Sequence, residues 1–508
     1  MLDKSLMKWS AVMISLFLLL GTAAPGLQGN KTALAKESDI VPRYLPIVWR
    51  TNPSHNLFGV EIGAQITSDA PYFEQALLLP TKWIRLNLRI SWRQLQPNEG
   101  DPIQWDLLAD FENELRILRG ANITPIVIVN DYPAWATTER APGTPSYCGP
   151  LREDMYAAFA DFTRQVVERY KTPEFNAQIW ELGNEPDIDG AYYELPFDSQ
   201  YGCWGDAADL EYYGGQRYGE MLQVVTPLIK VADPLAQVWV GGLLLNSPMT
   251  VAPGEGRPEL FLQGILQAGV GTDYSYFDVV PYHAYSIYRG KNLEGKFFDY
   301  DDGDVNSPWF GDTWGGAVLG KARFLREIMG AYGVQKPLFV DEVSLTCPQE
   351  FFPVLCDSDL PLFDDFLQIQ ASHLVRVLTR GLSEDIQGFT WYTLDGPGWR
   401  NGGLLDISNS PRPSYVAYQV LTQQLINADY LSPVDYGTGI EGYAFRRDTQ
   451  DIQVLWSELD VPDLSILVPA SDFVEARARD GTLIAPALVD GNYQIPVGFS
   501  PIYIVRRP

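Results

Sequence analysis

Two glutamates in matching surroundings, 157 residues apart, are the most informative feature of the sequence. Ile179-Trp180-Glu181-Leu182-Gly183-Asn184-Glu185-Pro186-Asp187 delivers Glu185 beside Asn and Pro at the end of an apolar run. Pro337-Leu338-Phe339-Val340-Asp341-Glu342-Val343-Ser344 does the same for Glu342. A carboxylate at a strand's C-terminal end can face a cleft, where it suits acid/base or nucleophilic work. Two such groups at one mouth fit hydrolysis of a glycosidic bond: one carboxylic acid protonates the leaving oxygen while the other carboxylate attacks carbon or activates water. Glu185 is expected to carry the proton, and Glu342 to stay ionised through donors such as Arg85 and Tyr285. A gap of about 5 Å between them is the one expected of a retaining enzyme.

Hydrophobic period supplies the scaffold. From about 57 to 426, short apolar runs alternate with longer amphipathic stretches, the pattern of βα units around a parallel sheet. Strands are predicted over Phe58–Ile62, Trp83–Leu88, Pro125–Val129, Ala177–Leu182, Gln237–Gly241, Val279–His283, Leu338–Glu342 and Gly388–Tyr392. Helices are predicted over Trp105–Arg119, Asp154–Tyr170, Tyr218–Ala232, Pro258–Ala268, Gly320–Tyr332 and Asp364–Arg380. These elements predict an α/β fold, a (β/α)8 TIM barrel, and no GxGxxG or phosphate loop points to a doubly wound sheet instead. In such a barrel the site forms at the C-terminal strand ends. Besides the two glutamates, those ends bring Arg85, Asn87, Asn130, Asp131, Asn184, His283, Tyr285 and Trp391 to one polar, aromatic rim.

Beyond Pro411-Arg412-Pro413 the character changes to alternating β-type segments: Gly442–Arg447, Ile452–Ser457, Leu464–Pro469, Val474–Arg479 and Tyr493–Val505. The expected division is a signal peptide at 1–35, a barrel at 36–428 and a small C-terminal antiparallel β-sandwich at 429–508. Lys4 and Lys8 before the apolar run Ala11–Leu20, with small residues at Ala23-Ala24 and Ala33-Leu34-Ala35, mark the leader. Secretion follows as an expectation, with no membrane attachment after cleavage. A net charge of −27 disfavours nucleic acid and anionic membranes as partners. The four cysteines allow three pairings; Cys148 with Cys203 and Cys347 with Cys356 is preferred. With three histidines and no CxxC, no metal site and no cofactor are expected.

The segment Asn184-Glu185-Pro186 at the fourth strand, with Glu342 at the seventh, resembles the signature of clan A glycoside hydrolases along the whole barrel. The resemblance implies that Glu185 is acid/base, Glu342 nucleophile and Asn184 the partner of the sugar's 2-hydroxyl, in a cofactor-free double displacement. Arg85 looks like the clan's second-strand Arg, His283-Ala284-Tyr285 like its sixth-strand His-x-Tyr, whose Tyr supports the nucleophile, and Trp391 like its eighth-strand sugar platform. With Asn130, these are the expected substrate-binding residues. The run Gly403-Leu404-Leu405-Asp406 through Pro411-Arg412-Pro413-Ser414-Tyr415 and the trailing β domain are similar to β-xylosidase-like family 39, cellulase-like family 5 being next. Gly183, where many relatives carry an aromatic, looks more like the glucuronidase and heparanase-like branch.

The predicted substrate is therefore a β-linked polysaccharide or its oligosaccharides. A glucuronidase-like enzyme and a non-catalytic carbohydrate-binding barrel are the alternatives, separated by basic residues at the site and by reducing-sugar release. Trp135, Trp204, Trp309, Trp314 and Trp399 lie in loop-like segments as candidate subsites or loop anchors. The acidic run Asp299–Asp304 reads as a solvated loop rather than a calcium site.

Overall fold

The computed structural model describes residues 56–507 except 140–142, 145, 192–194, 197, 246–256, 291–315, 438 and 458–463. The expected leader at 1–35, Trp309, Trp314 and Asp299–Asp304 lie outside the described residues.

Eight runs rich in Val, Ile and aromatic residues become eight parallel strands: β1 Phe58–Glu61, β2 Trp83–Ser91, β3 Thr124–Asn130, β4 Ile179–Asn184, β5 Gln237–Gly242, β6 Val280–Ile287, β7 Leu338–Thr346 and β8 Phe389–Trp391. Their order is β5-β4-β3-β2-β1-β8-β7-β6. Parallel bridges Trp239↔Val279 and Leu243↔Tyr282 join the two ends and close the barrel. Such strands are covered on both faces, which is why they read as continuous apolar runs rather than alternating ones; Ile126, Val127, Ile128 and Val129 are all buried.

A helix follows each strand: Pro71–Leu78, Ala109–Gly120, Tyr156–Tyr170, Gly215–Ala232, Phe261–Ala268, Gly316–Ala331, Leu362–Ser383 and Pro413–Leu425. The helix Tyr156–Tyr170 buries Phe159, Phe162, Thr163, Val166, Val167 and Tyr170, a stripe at three- and four-residue spacing against the sheet. Three segments expected as single helices begin instead with a tight 3-10 turn, at Trp105–Leu108, Glu153–Met155 and Pro258–Leu260. Among the described residues, no helix is long and apolar enough to cross a membrane.

From Asp429 on, the chain is antiparallel. β9 Asp429–Pro433, β10 Ile440–Arg447, β11 Gln450–Ser457, β13 Phe473–Ala478 and β16 Ile502–Arg506 form a five-stranded sheet in the order β13-β16-β11-β10-β9. β12 Ser465–Pro469, β15 Asn492–Pro496 and β14 Ala487–Val489 form a second sheet of three. Leu455, Ile466, Val468, Ile495, Ile502 and Ile504 fill the space between the two, completing a sandwich. The single strand expected over Tyr493–Val505 is two strands in different sheets. Pro496 and Pro501 lack the N–H a ladder needs, so the chain leaves one sheet and enters the other between them.

Both preferred cysteine pairs are disulfides: Cys148–Cys203 spans 55 residues and Cys347–Cys356 spans 9.

Candidate active site

β7 must present Glu342 to the barrel interior although Asp341 precedes it, and regular alternation sends adjacent residues to opposite faces. A bulge resolves the conflict. Against β6, Tyr282 pairs Val340 and His283 pairs Glu342, which leaves Asp341 as the extra residue; against β8, Val340 pairs Phe389 and Val343 pairs Trp391. A bulge of this kind re-aims side chains, and here both acidic groups meet His283 and Arg85.

β4 ends in an equally particular way. Gly183 stands at φ 101°, a conformation that glycine tolerates. Glu185 stands at φ 50°, in the left-handed region, which costs a side-chain-bearing residue roughly 1–2 kcal/mol. The Glu185 amide N–H donates to the Gly242 carbonyl at 3.0 Å and fixes this turn. Backbone strain of this sort gathers where function requires it.

The two glutamates meet. Glu185, His283 and Glu342 each offer a ligand atom, all within 4.8 Å of one another. His283 bridges the pair, with Nδ1 at 2.9 Å from Glu185 Oε1 and Nε2 at 3.4 Å from Glu342 Oε1. Nε2 also lies 3.6 Å from Asp341 Oδ2, a charge contact too long for a hydrogen bond. Glu342 accepts hydrogen bonds from Arg85 Nη1 on Oε1 and from the Tyr285 hydroxyl on Oε2. The Glu185 side chain is 13% exposed and that of Glu342 5%, so the pair sits at the boundary of core and opening.

Arg85 organises the floor. Its five N–H donors are all committed: Nε and Nη2 to Glu181 at 3.0 and 2.7 Å, Nη2 also to Asn184 Oδ1 at 2.7 Å, Nη1 to Glu61 Oε2 at 2.6 Å and to Glu342. A fully buried guanidinium so engaged positions Glu342 and Asn184 and has no donor left for a ligand. The expectation that Arg85 contacts substrate is corrected accordingly. His283 is likewise sealed, its ring held among carboxylates.

These groups set one another's charge. Burial pushes Glu61 up to about 8, reinforced by the Glu342 charge and opposed by Arg85. Burial likewise lifts Glu181 to about 7 against the pull of Arg85. For Asp341, burial is outweighed by His283 and Arg85, which hold the carboxyl below its usual range. Burial would strip the proton from His283, but Glu342 and Asp341 hold the imidazolium well above its ordinary range.

Around the pair, Asn184 is buried with Oδ1 taken by Arg85, so its amide nitrogen is what remains for a hydroxyl. Asn130, also buried, donates from Nδ2 to the Gln200 carbonyl at 2.9 Å, while its Oδ1 lacks a protein partner. Trp391 departs from expectation. Its indole is sealed in the core and donates to the Gly402 carbonyl at 2.9 Å, so no face is free to stack on a sugar. The next residue, Tyr392, is partly exposed and packs edge-on against Tyr285 at 5.9 Å. Burial raises its phenol well above the ordinary range, with Glu61 and Glu342 adding to the effect. Of the candidate rim tryptophans, Trp204 is a core anchor against Tyr132 and Tyr218, Trp135 is packed on Trp92, and Trp399 is 49% exposed beside Tyr285.

Glu61, Glu181 and Asp341 received no role from the sequence, yet each stands as an acid within a strand predicted to be buried. A buried carboxylate needs a partner, and that was the available signal. Among the described residues, Glu185, His283 and Glu342 are also the group whose atoms could surround a cation. Any cation there would have to compete with Arg85, Tyr285 and His283 for the same oxygens. A cleft of about 320 Å³ at the opposite strand ends, lined by Pro80, Lys82, Ile123 and Asn427 among others, contains no carboxylate.

No known protein-family model matches the sequence, and no curated protein matches it. Solved structures do share the fold. A family 39 glycoside hydrolase from the gut symbiont Bacteroides cellulosilyticus WH2 superposes with a TM-score of 0.63 at 18% identity, over 89% of this chain and 81% of its own. A family 39 β-xylosidase from Caulobacter crescentus gives 0.54 at 17% identity over 89% and 97%. A family 30 subfamily 8 xylanase from Clostridium acetobutylicum gives 0.55 at 12% identity over 90% and 97%. The fold shared with these enzymes is the one implied by the clan A resemblance.

Proposed function

We propose that the chain is a secreted, retaining glycoside hydrolase acting on β-linked neutral sugars. The carrying observation is the approach of Glu185 and Glu342 to within 4.8 Å at the ends of β4 and β7. That separation supports the retaining geometry of roughly 5–5.5 Å, since an inverting pair needs room for a water, roughly 6.5–9.5 Å. The two disulfides fit an oxidising compartment.

In the proposed reaction, Glu342 attacks the anomeric carbon while Glu185 passes its proton to the departing oxygen, leaving the sugar esterified to Glu342. Glu185 then takes a proton from water, which attacks the same carbon and releases Glu342. Arg85 and Tyr285, one on each oxygen of Glu342, hold the attacking group in a single orientation before the sugar arrives. The carboxylates gathered around Arg85 and His283 lie next to the point where the sugar becomes cationic in the transition state. The Asn184 amide is the donor for the hydroxyl beside the reacting carbon, and Tyr392 takes the platform role expected of Trp391.

The surplus of carboxylates favours neutral substrates over uronates, because Arg85 has no donor left to bind a second acid. The test is hydrolysis of aryl β-glycosides of xylose, glucose, galactose, mannose and glucuronic acid by the wild type and by Glu342→Ala. Xylosides head the panel because the shared-fold structures include a β-xylosidase and a xylanase. We expect turnover of a neutral glycoside, its loss by more than ~10³-fold in Glu342→Ala, and partial recovery with azide. Undiminished activity in that variant contradicts the assignment.

A further inference from the structure

A strap after β4, Ser199–Cys203, is tied down through Gln200, Gly202 and Cys203. The Gly202 N–H donates to the Asn184 carbonyl at 3.0 Å, immediately before Glu185. The Gln200 carbonyl accepts from Asn130 at 2.9 Å, and Gln200 Nε2 donates to Asp131 Oδ2 at 3.2 Å, both at the end of β3. Cys203 is disulfide-bonded to Cys148, and its N–H donates to the Ile188 carbonyl at 2.6 Å. Ser199 Oγ closes the turn on the Tyr201 carbonyl at 2.9 Å. A stretch fixed this firmly is a surface built to shape.

Within Ser199–Cys203, Tyr201 is 40% exposed, while its neighbours Gly202, Cys203 and Trp204 are buried. Its chain neighbours Gln200 and Gly202 are bonded to Asn130 and to the Asn184 carbonyl, which sets Tyr201 beside the ends of β3 and β4; burial raises its phenol above the ordinary range, and the charges of Glu185 and Glu342 add to this. Beneath the strap, Asn130 Oδ1 is a buried acceptor without a protein partner.

Resting on the glycosidase reading above, we propose that the strap Ser199–Cys203 forms the binding subsite for the leaving-group saccharide, with Tyr201 as its stacking platform. The side of the scissile bond follows from chemistry. The acid that protonates the departing oxygen stands next to the leaving sugar, and the strap is bonded to the backbone beside that acid. An aromatic face packs against the C–H face of a pyranose and is indifferent to most hydroxyl positions. The subsite therefore selects for a sugar-sized leaving group rather than for a particular sugar.

The experiment compares two substrates of one glycone, chosen from the aryl glycoside panel: its β-linked disaccharide and its glycosyl fluoride. Fluoride departs without a sugar, so it has nothing to place on Tyr201. In Tyr201→Ala, kcat/KM for the disaccharide relative to the fluoride is expected to fall about tenfold, an effect of the size expected for one lost ring contact. Tyr201→Phe keeps the ring and is expected to keep the ratio. An unchanged ratio in Tyr201→Ala, or an equal loss on both substrates, overturns the subsite. A wild type inactive on every glycoside and fluoride instead overturns the underlying glycosidase reading, and the two failures are thereby distinguished.

Discussion

A single guanidinium nitrogen, Arg85 Nη1, serves both Glu61 and Glu342, so the two carboxylates influence one another through a shared donor. The consequence for stability has a definite sign. Glu61 titrates at its ordinary 4.5 when unfolded and at about 8 when buried. The folded chain thus holds this proton more tightly. The resulting stability is complete below pH 4.5 and is lost as pH rises through about 8. Glu61→Gln, which cannot ionise, is expected to show a smaller fall in thermal midpoint than the wild type between about pH 5 and about pH 8.5; equal falls place the titration elsewhere. Glu185→Gln is a separate test. It removes the proton donor, so hydrolysis of sugars with poor leaving groups is expected to drop ~10²–10⁴-fold, with a smaller loss for nitrophenyl glycosides, whose leaving group needs little protonation. Similar losses on both would argue against an acid role. The pair itself was legible because each Glu closes an apolar run. Glu61 and Glu181 were equally visible as letters, but which acids share one Arg is a matter of barrel register that no local pattern encodes.

At the scale of elements, the bulge at Asp341 accounts for what alternation could not anticipate. All eight strand runs were readable because two-sided burial makes each a dense apolar segment, with ends displaced by a few residues at most sites. The extra residue in β7 alters its register against β8, and there the aromatic facing the site is Tyr392 rather than Trp391. β5 contributes by omission. Gly242 lies where an added Cβ would collide with His283 Nε2 and Asp341 Oδ2. Gly242→Ala is therefore expected to shift His283 off Glu185 and lower kcat at least ~10-fold, a displacement effect of the kind expected from small geometric errors. Circular dichroism should show the barrel still folded. Wild-type kcat in that variant would mean that the His283 bridge is dispensable.

Across the whole molecule, the β-sandwich is fastened to the helix Leu362–Ser383. Arg380 donates from Nε to Glu441 at 2.7 Å, Arg376 donates to the Ser457 carbonyl at 3.3 Å, and Arg479 donates to Ser372 Oγ at 2.6 Å. Breaking a buried ion pair leaves an uncompensated charge, so Arg380→Ala is expected to destabilise the chain by ~3–5 kcal/mol. With the sandwich so attached, calorimetry is expected to show barrel and sandwich melting in one transition; two separated transitions would contradict this coupling. A net charge of −27 repels polyanions, in keeping with the neutral substrate proposed above. All of these features serve one geometry, two carboxylates within 4.8 Å across a barrel mouth. The direct test is proton NMR of the first sugar released from a β-glycoside, recorded before mutarotation. The geometry predicts the β-anomer, with configuration retained by way of Glu342; initial release of the α-anomer would contradict it.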